Sequence, residues 1–310
     1  MLIIGLVLAF IIGVTLGLLG GGGAILTVPV LHYVIDLPVD IAIAASLIVV
    51  GVTSAFATIN HGRQGRVQWR VGLFFGAASM LSAYGVGKFA KHIPPAIRLL
   101  GFAVVMAAAA YAMLRGAYAA MRASQQANPS AAVVSPPTQP KLRALIPQGL
   151  LVGALTGAVG AGGGFLIVPA LTILANVPMH HAVGTSLFVI ALNSVAGFVG
   201  SGMWGSIPYQ TVAGIVALAI AGSVVGSRIS QRISPSVLRE GFGWFIVVMA
   251  AFIAAMEGPR MAGLQLTGGQ RGAVVAGAVS LAAIAATVIA RRIRSKRAAM
   301  QPIVTQPAAT

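Results

Sequence analysis

The residues best equipped for chemistry in this chain are glycines. Gly17-Leu-Leu-Gly20-Gly21-Gly22-Gly23-Ala24-Ile-Leu-Thr-Val-Pro29 returns 140 residues later as Gly157-Ala-Val-Gly160-Ala161-Gly162-Gly163-Gly164-Phe-Leu-Ile-Val-Pro169, with the prolines and most glycines in register. Each block interrupts an apolar stretch. A glycine run is a costly helix interior, and it leaves the backbone open to close approach. Where a new helix begins after the break, its first N–H groups have no intrahelical acceptor and, with the helix dipole, favour an anion. The amides of Gly22, Gly23, Ala24, Gly162, Gly163 and Gly164 are therefore expected to converge on one substrate-binding cavity, with Gly20, Pro29, Gly160 and Pro169 as the structural breaks. The competing explanation is close helix packing through small residues. Packing alone does not call for three or four consecutive glycines.

Hydroxyl and amide side chains follow each break at matched positions. Ser46, Thr53 and Ser54 are spaced to share one helical face, and so are Ser186, Asn193 and Ser194, with Thr185 beside them. Two such stripes can line a cavity and donate hydrogen bonds to oxyanion oxygens, although Ser and Thr in membrane helices also bond their own upstream carbonyls. Asn193 is the strongest member, because an amide in hydrocarbon seeks a partner. Among titratable groups, His32 lies inside the first broken segment and is the candidate for proton coupling. Asn60 and His61, beside Arg63 and Arg66, are expected in a solvated loop, with His180 and His181 at the other rim. Asp36 and Asp40 bracket Pro38 at the interface. Lys88 and Arg228 occupy equivalent span ends, where snorkelling accounts for both.

These residues need helices to carry them. Of 310 residues, 58% are hydrophobic and 8% charged, and the mean hydropathy of +0.94 excludes a soluble domain of this size. Apolar runs long enough to span a bilayer fall at 2–19, 41–60, 71–89, 97–114, 145–161, 181–200, 208–227, 237–256 and 272–290. The first run has no basic flank or small-residue cleavage site, so it is expected to stay in the mature protein. The short pieces 25–35 and 165–175 after the breaks cannot cross alone.

A polar, proline-rich stretch divides the chain into a first transmembrane repeat (1–116), a linker (117–144), a second repeat (145–257), and an extra transmembrane helix with a basic tail (258–310). Charge bears on orientation. If each broken segment dips in and returns, the halves are inverted, and one face collects 15 of the 20 Lys and Arg residues. If each broken segment crosses, the division is near even. The positive-inside rule favours the first arrangement, with linker and tail cytoplasmic.

The doubled G-x-x-G-x-G-G-x-x-x-x-x-P pattern, followed by a second Pro and by Ala42…Ser46-Leu47 and Ala182…Ser186-Leu187, resembles the sulfite exporter (TauE/SafE) family of membrane permeases. The resemblance covers about residues 1–256 and is specific at the glycine–proline blocks. It implies two duplicated four-segment units with a variable central loop, moving sulfite, sulfoacetate or a related small anion. Ala161 and Gly164 depart from Gly21 and Ala24, and the last span has no counterpart in a minimal unit.

The expected fold is thus an all-α polytopic membrane protein of two helical repeats in the inner (plasma) membrane, multi-pass. The expected function is secondary transport of a small anion, with an anion channel or an intramembrane enzyme as alternatives. The net charge of +16 suits anionic lipid on the cytoplasmic face and an anionic solute, and no nucleic acid is expected as a partner. No cofactor or metal is expected. Zero cysteines remove thiolate chemistry, four acids cannot build a carboxylate cage in the membrane, and no phosphate loop is present.

Overall fold

In hydrocarbon a chain must pair its own N–H and C=O groups, and helices do this within one segment. The computed structural model describes residues 2–90, 101, 104–116, 142–159 and 164–261. The fold is all-helical, with no strand among the described residues. In order, the helices are α1 (Leu2–Leu19), α2 (Gly22–Pro29), α3 (Val39–Arg63), α4 (Trp69–Ala90), α5 (Val104–Gly116), α6 (Leu142–Val159), α7 (Ile167–Ile173), α8 (Met179–Ser201), α9 (Tyr209–Arg232) and α10 (Pro235–Met261). Three of them, within α3, α8 and α9, are long and apolar enough to cross a membrane. The expected linker core and the expected span at 272–290 lie outside the described residues.

The first broken segment is a helical hairpin. A Cβ added to Gly23 would overlap the Ile12 carbonyl, while Gly5 faces Ile35, so the chain after the break runs back along α1. Gly20 makes the turn possible with φ +79, a conformation L side chains rarely adopt. Pro29 does not end the returning helix. The chain continues through one wide turn over Val30–Val34, in which Ile35 N–H bonds the Val30 carbonyl. Pro169 likewise sits within the first turn of α7, where a missing N–H costs nothing. The breaks therefore lie before the prolines.

Each half lends its first helix to the other half. Gly13 and Gly17 of α1 lie against the Ala219 and Ser223 carbonyls of α9, and Gly153 and Gly157 of α6 lie against the Ser79 and Ala83 carbonyls of α4. The second set equals the first shifted by 140 in sequence. Both pairs run parallel, since contacts advance together along the two helices. At the centre α3 and α8 run antiparallel: Gly51 meets Ser194, Gly197 meets Leu47, and Gly184 meets His61. Matched left-handed residues, Asp36 (φ 63) and Asn176 (φ 51), close the loops before Pro38 and Pro178. This gives Asp36 a backbone role, since Asp and Asn tolerate that conformation. Large apolar side chains such as Leu73, Leu81, Val195 and Val199 remain exposed on the outside, as a lipid-facing surface requires.

The swapped packing has a direct test. Gly17→Val and Gly157→Val should each destabilise the protein by about 1–3 kcal/mol or more, because the new side chain meets backbone. Gly214→Ala, with nothing within 4 Å of the added carbon, should leave the thermal midpoint in detergent unchanged or higher.

Candidate functional site

The two breaks meet. A Cβ on Gly21 would stand 2.7 Å from the Gly164 carbonyl oxygen and 2.8 Å from Phe165 Cα, so only glycine lets them touch. Gly20 packs on α8, where its Cβ would lie 2.6 Å from Ser186 Oγ, and Gly164 faces Ile190 one turn further along the same helix. Gly20, Gly21, Gly22 and Gly23 are buried, and Ala24 is half-buried. Because α2 starts at Gly22, the Gly22 and Gly23 N–H groups lack intrahelical acceptors deep inside the protein, whereas the Ala24 N–H, expected to be open, donates to the Gly21 carbonyl at 3.3 Å. Gly160, Gly162 and Gly163 lie outside the described residues, so of the second break's amides only Gly164 is placed.

The polar stripes divide into two kinds. Ser46 and Ser186 donate to the carbonyls of Ile43 (2.7 Å) and Val183 (2.8 Å) in their own helices, the ordinary fate of a membrane hydroxyl. Thr185 is occupied too, accepting the Gln68 N–H at 3.0 Å and pinning the α3–α4 loop onto α8. Asn193 finds its partner on α4, donating from Nδ2 to Ser79 Oγ at 3.2 Å. Thr53 and Ser54 differ. Both are fully buried midway along α3, and neither hydroxyl has a hydrogen-bond partner. Most other buried hydroxyls here bond back to their own helix, so these two are held open. Ser194 is buried where α8 crosses Gly51, its Cβ 2.9 Å from the position a Gly51 Cβ would take.

His32 lies away from the breaks. It sits at the far end of the first hairpin, half-buried, and its Nδ1–H donates to the Leu37 carbonyl at 2.8 Å. Its counterpart Thr172 donates to the Val168 carbonyl at 2.9 Å.

Two groups escaped the sequence reading. Neither Asn60 nor His61 is in a solvated loop: both lie near the end of α3, Asn60 half-buried with its Nδ2 donating to Ser227 Oγ of α9, and His61 fully buried, its Nε2–H donating to the Gly17 carbonyl at 3.2 Å. His180 is not at another rim but beside it, within electrostatic reach of His61 and Arg66. The antiparallel crossing of α3 and α8 brings the end of one helix to the start of the other. Nothing in the spacing of His61 and His180 signals this.

The profile of the sulfite exporter TauE/SafE family matches residues 5–253. The chain belongs to that family. Among its relatives, a probable membrane transporter protein of Xylella fastidiosa (strain Temecula1) is 30% identical over 249 residues, covering 78% of this chain and 91% of the relative. Probable membrane transporter proteins of Bacillus subtilis (strain 168) and Methanocaldococcus jannaschii are each 28% identical, covering 74% and 80% of this chain and 91% and 93% of their own lengths. No solved structure matches the chain significantly. This TauE/SafE protein is therefore a membrane transporter by family, and the glycine blocks fall inside the matched region.

The contrast between open and occupied hydroxyls predicts opposite effects on stability. Thr53→Val, near in shape, removes a buried unpaired group and should leave stability unchanged or raise it by about 1 kcal/mol. Ser79→Ala strips Asn193 of its partner and should cost about 0.6 kcal/mol, within the range of helix-to-helix bonds in membranes. Thermal unfolding of the two variants in the same detergent reads the difference.

Proposed function

We propose that this TauE/SafE protein is a secondary permease for a small anion, of the sulfite, sulfoacetate or related organosulfonate or carboxylate class, in the inner (plasma) membrane. The observation that carries this reading is the contact of Gly21 with Gly164, which brings two interrupted segments together inside the protein. Broken helices persist within a membrane where protein or a water-filled cavity surrounds them. N–H groups at Gly22 and Gly23, at the start of α2, and the open hydroxyls of Thr53 and Ser54 are donors suited to oxyanion oxygens.

The repeats are read as inverted. Antiparallel α3 and α8, together with the reciprocal exchange of α1 and α6, are what a two-fold axis in the membrane plane produces. Alternating access then consists of one repeat moving against the other about the touching breaks. The parallel α1–α9 and α4–α6 pairs, locked through glycines, are the rigid arms. The domain division drawn from the sequence, with 117–144 as linker, is retained in this reading.

Uptake of radiolabelled sulfite and sulfoacetate into proteoliposomes tests it, with and without a proton gradient. The expected result is saturable uptake with counterflow, reduced at least about tenfold by Gly21→Ala and by the double variant Thr53→Val, Ser54→Ala. Flux that does not saturate and shows no counterflow assigns a channel instead. Unchanged transport by both variants, each shown to be folded, removes the breaks from the substrate path.

A further inference from the structure

Basic side chains gather where α3 ends, α4 begins and α8 begins. His61 closes α3, Arg66 lies in the α3–α4 loop, and His180 and His181 stand in the first turn of α8. The cluster is built rather than incidental. The Arg66 N–H bonds the His61 carbonyl at 3.0 Å, and a Cβ on Gly184 of α8 would lie 2.7 Å from the Arg66 carbonyl and 3.2 Å from His61 Cβ. The Gln68 N–H to Thr185 bond holds the loop in place from its other end.

Donors and lone pairs in this cluster go unused. Nδ1 of His61, Nη1 of Arg66 and Nδ1 of His180 are each buried without a hydrogen-bond partner, and His61 as a whole is fully buried. An unpaired buried guanidinium N–H is costly, and an unpaired imidazole nitrogen is so to a lesser degree. The charged groups acting on His61 are Arg66 and His180, and those acting on His180 are Arg66 and His181, so basic groups surround one another. The helix dipole of α8 adds partial positive charge at the same point. Among the described residues no group of His, Cys, Asp or Glu is arranged to hold a metal, and Arg66 repels a cation.

The opposite end of the molecule differs. Shifted by 140, the positions of His61, Arg66, His180 and His181 are occupied by Ser201, Ser206, Asp40 and Ile41. The repeats agree at the glycines but not here, so the cluster belongs to one face only.

We infer that His61, Arg66 and His180, with the first turn of α8, form a loading site for a small oxyanion at the linker-side mouth of the protein. Resting on the small-anion reading above, it adds a second site, distinct from the breaks and present on one face. Arg66 supplies charge and His180 a hydrogen bond. His61 links the site to the first hairpin, because its other nitrogen holds the Gly17 carbonyl, an end-of-helix group just before the break. An oxyanion bearing a hydroxyl can donate to Nδ1 of the neutral His61 ring, and a fully ionised one is held by Arg66 and His180. An anionic lipid headgroup presents similar chemistry, and the test separates the two.

The full-length protein in phosphatidylcholine nanodiscs is titrated with sulfoacetate and with sulfite by calorimetry at constant ionic strength. The intact protein should bind, Arg66→Gln should weaken binding at least about tenfold, and Arg66→Lys should recover part of the loss. Arg63→Gln, an exposed charge three residues away, and Ser206→Ala on the opposite face should bind as the intact protein does. Equal weakening by Arg63→Gln and Arg66→Gln would reveal a diffuse field and overturn the site, as would unchanged binding by a folded Arg66→Gln. So would an Arg66-dependent rise in thermal midpoint with phosphatidylglycerol and no anion binding in phosphatidylcholine, which assigns the cluster to lipid. Binding that needs Arg66 in a protein that moves neither anion into proteoliposomes supports the site while overturning the permease reading.

Discussion

The structure depends on one constraint: a backbone N–H or C=O left unpaired in hydrocarbon costs several kcal/mol. A helix that stops within a membrane must hide its loose ends, and here the first stop is hidden against the residues that follow the second. Gly21 lies against Gly164, and Gly20 lies against Val183 and Ser186 of α8. The exchange of α1 and α6 between halves follows from the same need. The first arm of each broken segment, α1 or α6, packs on a helix of the opposite repeat, while α2 and α7 pack along α3 and α8 of their own repeats.

Glycine serves two separate purposes in this arrangement. Gly13, Gly17, Gly153 and Gly157 are packing residues, allowing helix backbones to touch through small-residue faces. Gly20 and Gly21 are break residues, the first for its positive φ and the second for contact with the other repeat. Close packing and chain reversal are thus served by different positions within one motif. The close helix pairs and the contact between the repeats are made by the same short stretch of chain.

Residues matched at a shift of 140 recur in the scaffold, and the polar groups depart from that match. Asp36 and Asn176, Pro38 and Pro178, and the glycine arms repeat faithfully. Thr53 corresponds to Asn193, yet Thr53 is left without a partner while Asn193 pairs with Ser79. His61, Arg66 and His180 correspond to Ser201, Ser206 and Asp40. A carrier that treats its two faces differently needs such differences, because a fully symmetric molecule offers a solute the same surface from both sides.

Local composition settled the class of protein and the helix positions: apolar length gave α3, α8 and α9 to within a few residues, and the doubled glycine–proline block pointed to the TauE/SafE family. Both are properties of contiguous chain, where backbone pairing in lipid leaves one choice. Which hydroxyls stay open could not be read there, since Ser46 and Thr53 look alike until each is seen to bond its own helix or not. Nor could His61 be read as buried, because that follows from α8 crossing α3 in the opposite direction, 119 residues away at His180. Sequence determined the helices and their interruptions; the antiparallel crossing of distant helices, a matter of packing between segments, decided which of their polar groups face one another.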